Sequence, residues 1–239
     1  MPFSLSRRIV AEALGSALLV AAVVGSGIMA QRLAGGNDAL ALLCNTVATG
    51  AALVVLISLF GPISGAHFNP VVSFVMWLNR EQSAGDAVRY VTAQVGGGVC
   101  GSILAHLMFG LPAISLSKTE RIGAGLWLAE AVATAGLLMT ILIGRRVSPG
   151  NLSVLIGLYI TSAYWFTAST SFANPAVTIA RSLSDTFAGI SPASIGWFIV
   201  AQICGAVAAL VLCGGSLSHR RRLHGKTNRT TAIARAWLR

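Results

Sequence analysis

Charged side chains are scarce in this sequence. Only 10% of its 239 residues are Asp, Glu, Lys or Arg, and seven of these are acidic, whereas 55% of the residues are apolar. The mean hydropathy is +0.76. A water-soluble domain of this length needs more charge to cover its surface. The composition therefore excludes an ordinary soluble protein and predicts one that lies in a membrane.

Patterns typical of enzymes are also missing. The sequence contains no helix with paired metal ligands, no activated-nucleophile pattern and no glycine-rich nucleotide loop. Its four cysteines lie in apolar stretches, where thiols usually pack as small hydrophobes, and metal ligation is the weaker alternative. They are Cys44, Cys100, Cys204 and Cys213. We predict a protein that is not an enzyme, has no disulfide framework and uses no cofactor or metal.

Long apolar windows are present instead. Crossing about 30 Å of hydrocarbon takes about 20 residues of helix, and six windows approach this length, although the fifth is short and rich in Thr, Ser and aromatic residues. The windows cover 8–30, 38–60, 86–110, 122–144, 152–168 and 193–217. The first lacks a small-residue cleavage pattern, so we expect it to remain in the mature protein. The sequence thus predicts an all-α membrane protein with six transmembrane helices.

Basic residues are unevenly distributed along the chain, whose net charge is +10, and seven of the 17 Lys and Arg follow Leu217. If both termini are cytoplasmic, 13 lie inside the cell and four outside, which satisfies the positive-inside rule. The outside four are Arg32, Lys118, Arg121 and Arg181. We predict a membrane domain over 1–217, followed by a basic cytoplasmic tail over 218–239. The tail is a topology signal or contacts anionic lipid; nucleic acid is not an expected partner.

The two halves of the sequence repeat each other. Ala11-Glu12-Ala13 at the start of the first window corresponds to Ala129-Glu130-Ala131 in the fourth, and Asn69-Pro70-Val71 corresponds to Asn174-Pro175-Ala176, 105 residues later. Three spans and one Asn-Pro motif per half, over about 8–110 and 122–217, make the halves enter the membrane from opposite sides. Such an inverted repeat is common in transport proteins.

Each Asn-Pro motif follows a segment too polar or glycine-rich for contact with lipid, so we expect the segments to line a cavity. Proline suits the first helical turn, and about ten apolar residues follow each motif, which predicts two re-entrant half-helices. Their N-termini would meet near the bilayer centre and repel cations. The side-chain amides of Asn69 and Asn174 could then donate hydrogen bonds to a passing oxygen atom.

Ser64-Gly65-Ala66-His67-Phe68-Asn69-Pro70 and Asn174-Pro175-Ala176 resemble the aquaporin and aquaglyceroporin family, the major intrinsic proteins, over about 8–217. The resemblance implies the aquaporin-like fold, one pore per subunit and a homotetramer in the lipid bilayer. It also implies that Glu12 and Glu130 brace the loop backbones, and that His67 lines the cytoplasmic half of the pore. A packed structural histidine is the alternative for His67.

The sequence departs from this family at the positions that form its selectivity filter. Most members carry Arg where this chain has Val177, and water or glycerol channels carry Phe or Trp where it has Thr49. The other two filter positions are Ser171 and a residue of the fifth span, either Ser162 or Tyr164. These changes predict a wider filter without a fixed charge.

Arg181 lies four residues beyond Val177 and therefore on the same helix face, about 6 Å nearer the outside. We expect it in the vestibule, either as a solvated charge paired with Asp185 or as an attractor of anions.

The segment 172–181 resembles the aquaglyceroporins of bacterial arsenic-resistance gene clusters. The leading functional hypothesis is a passive channel for arsenous acid and other metalloid acids, glycerol and water. A general water and glycerol facilitator is the first alternative. A coupled secondary transporter with Glu12 or Glu130 at its ion site is the second.

Overall fold

The computed structural model describes residues 3–214, which form helices and connecting loops without a β-strand. The helices are α1 (Leu5–Leu33), α2 (Asp38–Ser64), α3 (Pro70–Leu78), α4 (Ala84–Met108), α5 (Ala124–Val147), α6 (Leu152–Phe166), α7 (Pro175–Arg181) and α8 (195–214, to the end of the described residues). Single 3-10 turns precede α6 and α8. The predicted tail over 218–239 lies outside the described residues, and the domain boundaries remain a prediction.

Five helices are long and apolar enough to cross a membrane: α1, α2, α4, α5 and the segment Pro192–Gly214, which contains α8. Helix α6 occupies the short fifth window and has only 15 residues, which span about 22 Å. The 3-10 turn at Pro149–Asn151 precedes it directly. The predicted all-α fold with six spans and two half-helices is confirmed.

The two half-helices α3 and α7 begin at the prolines of the Asn-Pro motifs and contact each other. The loops before them adopt positive φ at non-glycine residues, which costs energy. These residues are Ala66 and Phe68 before α3, and Thr170, Ser171 and Ala173 before α7. Phe68 and Ala173 occupy equivalent positions, 105 residues apart, as do Ala66 and Ser171. Both halves thus use the same strained backbone to direct a half-helix into the protein.

Glycine allows equivalent helix pairs in the two halves to approach closely. A Cβ on Gly97 of α4 would lie 2.1 Å from the carbonyl oxygen of Ala13 in α1. In the second half, a Cβ on Gly205 of α8 would lie 2.2 Å from the carbonyl oxygen of Ala131 in α5. Small residues at helix crossings are typical of membrane bundles. These contacts hold α1 and α5, which carry the buried glutamates, against their partners.

Cysteine packing differs from the prediction. Cys213 is buried, but Cys44, Cys100 and Cys204 are exposed on the surface of the chain, and all four are free thiols. All four lie in helices, as the apolar windows predict, but these three do not pack against the rest of the described chain. A wholly apolar span does not reveal which of its faces points away from the bundle.

Candidate functional site

The two asparagines cap their own half-helices. Asn69 Oδ1 accepts a hydrogen bond from the backbone N–H of Val71 at 3.1 Å. Asn174 Oδ1 accepts from the N–H groups of Ala176 and Val177 at 2.9 and 3.2 Å. Capping uses the side-chain oxygen of each asparagine and thereby fixes the orientation of its amide group. Each NH₂ group consequently points away from its own helix.

The amide nitrogens then connect the two repeats. Asn69 Nδ2 donates to the carbonyl oxygen of Ala173, and Asn174 Nδ2 donates to that of Phe68, both at 2.8 Å. An amide NH₂ group has two donors, so one N–H of each asparagine remains available. Both asparagines line a cavity of about 70 Å³, the central cavity. Two aligned donors are therefore present where the half-helices meet.

Glu12 is completely buried and accepts hydrogen bonds from the loop that precedes α3. Its Oε1 accepts from the backbone N–H of His67 at 2.9 Å and from the hydroxyl of Ser64 at 2.6 Å. Its Oε2 accepts from the N–H of Phe68 at 2.8 Å. A carboxylate buried in a membrane protein needs such partners. The bonds hold Phe68 in its strained conformation.

Glu130 makes the equivalent contacts in the second repeat, where it is also completely buried. It accepts from the backbone N–H groups of Phe172 and Ala173, each at 2.9 Å. These residues immediately precede Asn174. The two carboxylates thus bind the two loops in the same way.

Two glutamines that were not predicted from the sequence complete these networks. Gln94 of α4 donates to Glu12 at 2.8 Å and to Ser73 at 3.0 Å. Gln202 of α8 donates to Glu130 at 2.7 Å and to Thr178 Oγ1 at 3.0 Å. Each is a lone amide in an apolar window, and Ala precedes both. That repeated pair, 108 residues apart, was the available signal.

His67 combines the two roles that the sequence left open. Its Nδ1 lies 3.0 Å from Ser73 Oγ, and its ring centroid lies 5.2 Å from that of Tyr90, so the side chain is fixed by packing. It also lines both the central cavity and a second cavity of about 190 Å³. Arg8, Glu81, Gln82 and Arg145 are among the residues that line this second cavity.

The predicted filter positions share the central cavity with Asn69 and Asn174; they are Thr49, Tyr164, Ser171 and Val177. Tyr164 Oη donates to Thr49 Oγ1 at 3.3 Å, so these two residues are in direct contact. Ser162, the alternative to Tyr164, is exposed on the outer side of α6 and bonds to the carbonyl oxygen of Tyr159. The residue of α6 that faces the cavity is therefore Tyr164.

Arg181 differs most from its prediction. It is only 2% exposed and lines the central cavity, with its Cζ 3.5 Å from the ring centroid of Phe172 and its Nε bonded to the carbonyl oxygen of Ala188. Asp185 instead accepts from the backbone N–H of Lys118. The expected solvated charge paired with Asp185 is wrong.

The physical reason is the direction of helical side chains, which lean toward the N-terminus of their helix. Arg181 ends α7, so its side chain returns toward Asn174. A guanidinium thus lines the same cavity as the positions for which the sequence predicts a filter without a fixed charge.

Comparison with known proteins accounts for this geometry. Residues 2–171, more than two thirds of the chain, match the family described as Major intrinsic protein. The chain belongs to the major intrinsic protein family. It is 54% identical over 230 residues to the aquaglyceroporin AqpS of Rhizobium meliloti strain 1021, with 96% of this chain and 98% of that protein covered.

More distant relatives agree. The glycerol uptake facilitator protein-like 6 of Lactiplantibacillus plantarum is 32% identical, with 85% of this chain and 94% of that protein covered. The fold matches the X-ray structure of the aquaglyceroporin from Plasmodium falciparum with a TM-score of 0.67 at 23% identity, over 88% of this chain and 95% of that one. The protein is a multi-pass membrane channel. The predicted channel class is confirmed over the enzyme and the coupled transporter.

Proposed function

We propose that this channel is a passive pore for small uncharged solutes, namely water, glycerol and arsenous acid, and that the central cavity is its conducting path. The observation that carries the proposal is the composition of the filter positions. Thr49 and Val177 stand where aromatic and Arg side chains would narrow the opening, and Ser171 is also small. A wider filter accepts solutes larger than water.

The chemistry of the cavity wall supports the same solute class. One part of the wall carries the donors of Asn69 and Asn174 and the hydroxyls of Thr49 and Tyr164. Most of the rest is aliphatic: Leu19, Val23, Leu53, Leu137, Ile141, Ile156 and Ile160. A polyol or a trihydroxy acid can place its hydroxyl groups against the polar side and the rest of its small, uncharged body against the apolar side. A cation would lose its hydration without compensation there.

Arsenous acid fits these requirements because it is a weak acid, which is largely uncharged at neutral pH. The relative from Rhizobium meliloti is described as an aquaglyceroporin, and the resemblance of segment 172–181 to proteins of arsenic-resistance clusters favours a metalloid substrate. A pore has no intrinsic direction, so uptake or release follows the gradient.

Flux measurements in proteoliposomes test the proposal. Val177→Arg and Thr49→Trp should reduce glycerol and arsenous acid flux at least about tenfold while water flux falls less, because each change adds bulk at the filter. Ser162→Val, on the outer side of the same helix as Tyr164, is the matched control and should leave all three fluxes unchanged. Equal arsenous acid flux in wild type and Val177→Arg would contradict the proposed filter.

The same measurement separates the general facilitator from the metalloid channel. Under the general reading, wild-type protein conducts water and glycerol while arsenous acid flux does not exceed that of protein-free liposomes. Under the proposed function, arsenous acid and glycerol pass at comparable rates.

The assembly is also part of the proposal: a homotetramer in the bacterial inner membrane with both termini cytoplasmic. The distribution of basic residues, 13 against four, supports this orientation. Native mass spectrometry of the detergent-purified channel should give four copies per particle. A protease added outside intact cells should leave the basic tail uncut.

A further inference from the structure

Among residues 3–214, Arg181 carries a buried positive charge without a carboxylate partner. It forms no salt bridge within residues 3–214, where the ion pairs involve Arg8, Arg89 and Arg145. Its Nε is fixed by the carbonyl oxygen of Ala188, and the guanidinium stacks on Phe172. In the described part of the chain, its two terminal nitrogens donate to no protein atom. The charged end of the side chain is thus held in place but remains free to bind a solute.

Ser171 provides a second, independent sign of a binding site. It is 3% exposed, lines the central cavity with Arg181, and its hydroxyl oxygen has no hydrogen-bond partner among the described residues. A buried hydroxyl without a partner is costly. The missing partner is supplied if a solute oxygen or hydroxyl occupies the cavity at this level.

The position of the charge follows from the spacing on α7. Val177 and Arg181 are four residues apart and share one helix face, and the side chain of Arg181 leans back toward position 177. An extended Arg side chain is about as long as the 5.4 Å rise of one helical turn. A guanidinium rooted at 181 therefore reaches the level of a filter whose own position 177 is apolar.

We propose that Arg181 is the fixed cation of the filter and that its terminal N–H groups, together with the Ser171 hydroxyl, bind oxygen atoms of the passing solute. This inference rests on the proposed function, in which the central cavity is the conducting path. The positive charge of the filter is then rooted at position 181, one helical turn beyond position 177, where most family members carry Arg.

A neighbouring arginine adds to the positive potential around Arg181. Arg121 lies 5.0 Å from the ring centroid of Phe172 and donates to the carbonyl oxygens of Gly189 and Ser169. The nearby carboxylate of Glu130 accepts from the loop backbone and from Gln202. The filter therefore favours oxygen-bearing neutral solutes and anions, and it disfavours cations.

Charged thiol reagents measure this potential directly. Cys44, Cys100, Cys204 and Cys213 are first replaced by Ala, and a reporter cysteine is introduced by Val177→Cys or, separately, by Ser171→Cys. The liposome-embedded protein is treated with the anionic sulfonatoethyl or the cationic aminoethyl methanethiosulfonate, and modification is followed by mass spectrometry. The modification rate with the anionic reagent is divided by the rate with the cationic reagent. This ratio is then divided by the same ratio measured for a small thiol in solution, which corrects for the intrinsic reactivity of the reagents.

With Arg181 intact, the normalised ratio of anionic to cationic modification rates should be at least about ten. A ratio of this size is expected for a unit charge several ångströms away in a partly hydrated site. Arg181→Gln and Arg181→Met should each lower the ratio about tenfold, whereas Arg181→Lys should retain most of it. Lys118→Gln removes an exposed extracellular charge outside the cavity and is the matched control, which should leave the ratio within about twofold.

A ratio near one with Arg181 intact would overturn the proposal, even if the neutral variants fail to fold. A ratio unaffected by both neutral substitutions would overturn it as well. So would protection of both reporter positions from both reagents in a protein that conducts water, because Arg181 would then lie away from the conducting path. Absent water flux would instead contradict the proposed function, and mass spectrometry would still report the potential.

Discussion

Glu130→Gln provides the most direct test of the buried network. In the wild type, Oε1 accepts from the N–H of Phe172, and Oε2 accepts from the N–H of Ala173 and from Gln202 Nε2. Glutamine keeps one oxygen and places an NH₂ group where the other oxygen was. At least one buried donor then loses its acceptor and faces another donor.

Hydrogen bonds to a charged group contribute about 1.5–3 kcal/mol each, and a buried unsatisfied donor costs about 1–3 kcal/mol. We therefore expect Glu130→Gln to lower the free energy of unfolding by about 3–6 kcal/mol and to reduce water flux strongly.

Unfolding of the detergent-purified protein, followed by circular dichroism, and stopped-flow water flux measure the two effects. Glu12→Gln should cost a similar amount, because Glu12 binds its loop in the same way. Glu120→Gln, at an exposed loop position, is the control and should change stability by less than about 0.5 kcal/mol. Wild-type stability and flux in Glu130→Gln would refute the view that the carboxylate holds the loop.

Two further predictions concern packing and the second cavity. Gly205→Leu should prevent correct assembly, because its Cβ would lie 2.2 Å from the carbonyl oxygen of Ala131. A Cβ at Gly196 meets nothing within 4 Å, so Gly196→Leu should fold. Size-exclusion profiles of the purified proteins distinguish the two variants. Glu81→Gln should lower the free energy of unfolding by less than about 1 kcal/mol, since its ion pair with Arg145 is partly exposed. A loss above about 3 kcal/mol in chemical denaturation would contradict that estimate.

The parts of the fold that depend on local pattern were predictable from the sequence. Apolar length predicts the spans, and the Asn-Pro pair predicts the half-helices because capping and the N1 preference of Pro act within one turn. Even the short span at Leu152–Phe166 appears as a short window in the sequence. Its filter residue stayed ambiguous because counting back from Asn174 gives Ser162, whereas counting along the helix gives Tyr164. The structure identifies Tyr164 as the residue that lines the cavity.

The glutamine contacts were harder to predict because the two repeats have different loop lengths. Glu12 and Glu130 are 118 residues apart, Gln94 and Gln202 are 108 apart, and the asparagines are 105 apart. No single offset aligns all three pairs. Only in the folded chain do Gln94 and Gln202 meet the equivalent glutamates, and this shows that the second repeat reproduces the hydrogen-bond network as well as the helices.

Arg181 shows why an aligned position is an incomplete guide to selectivity. An alignment compares Cα positions, whereas the charge of an arginine lies at the end of a long side chain whose direction depends on the helix. Val177 taken alone indicates a filter without charge. Because Arg181 lies on the same face and leans toward the half-helix N-terminus, the guanidinium lines the cavity that Val177 leaves open. Under the proposed role of Arg181, the filter is wider at position 177 and keeps its positive charge, because a longer side chain one turn away supplies that charge.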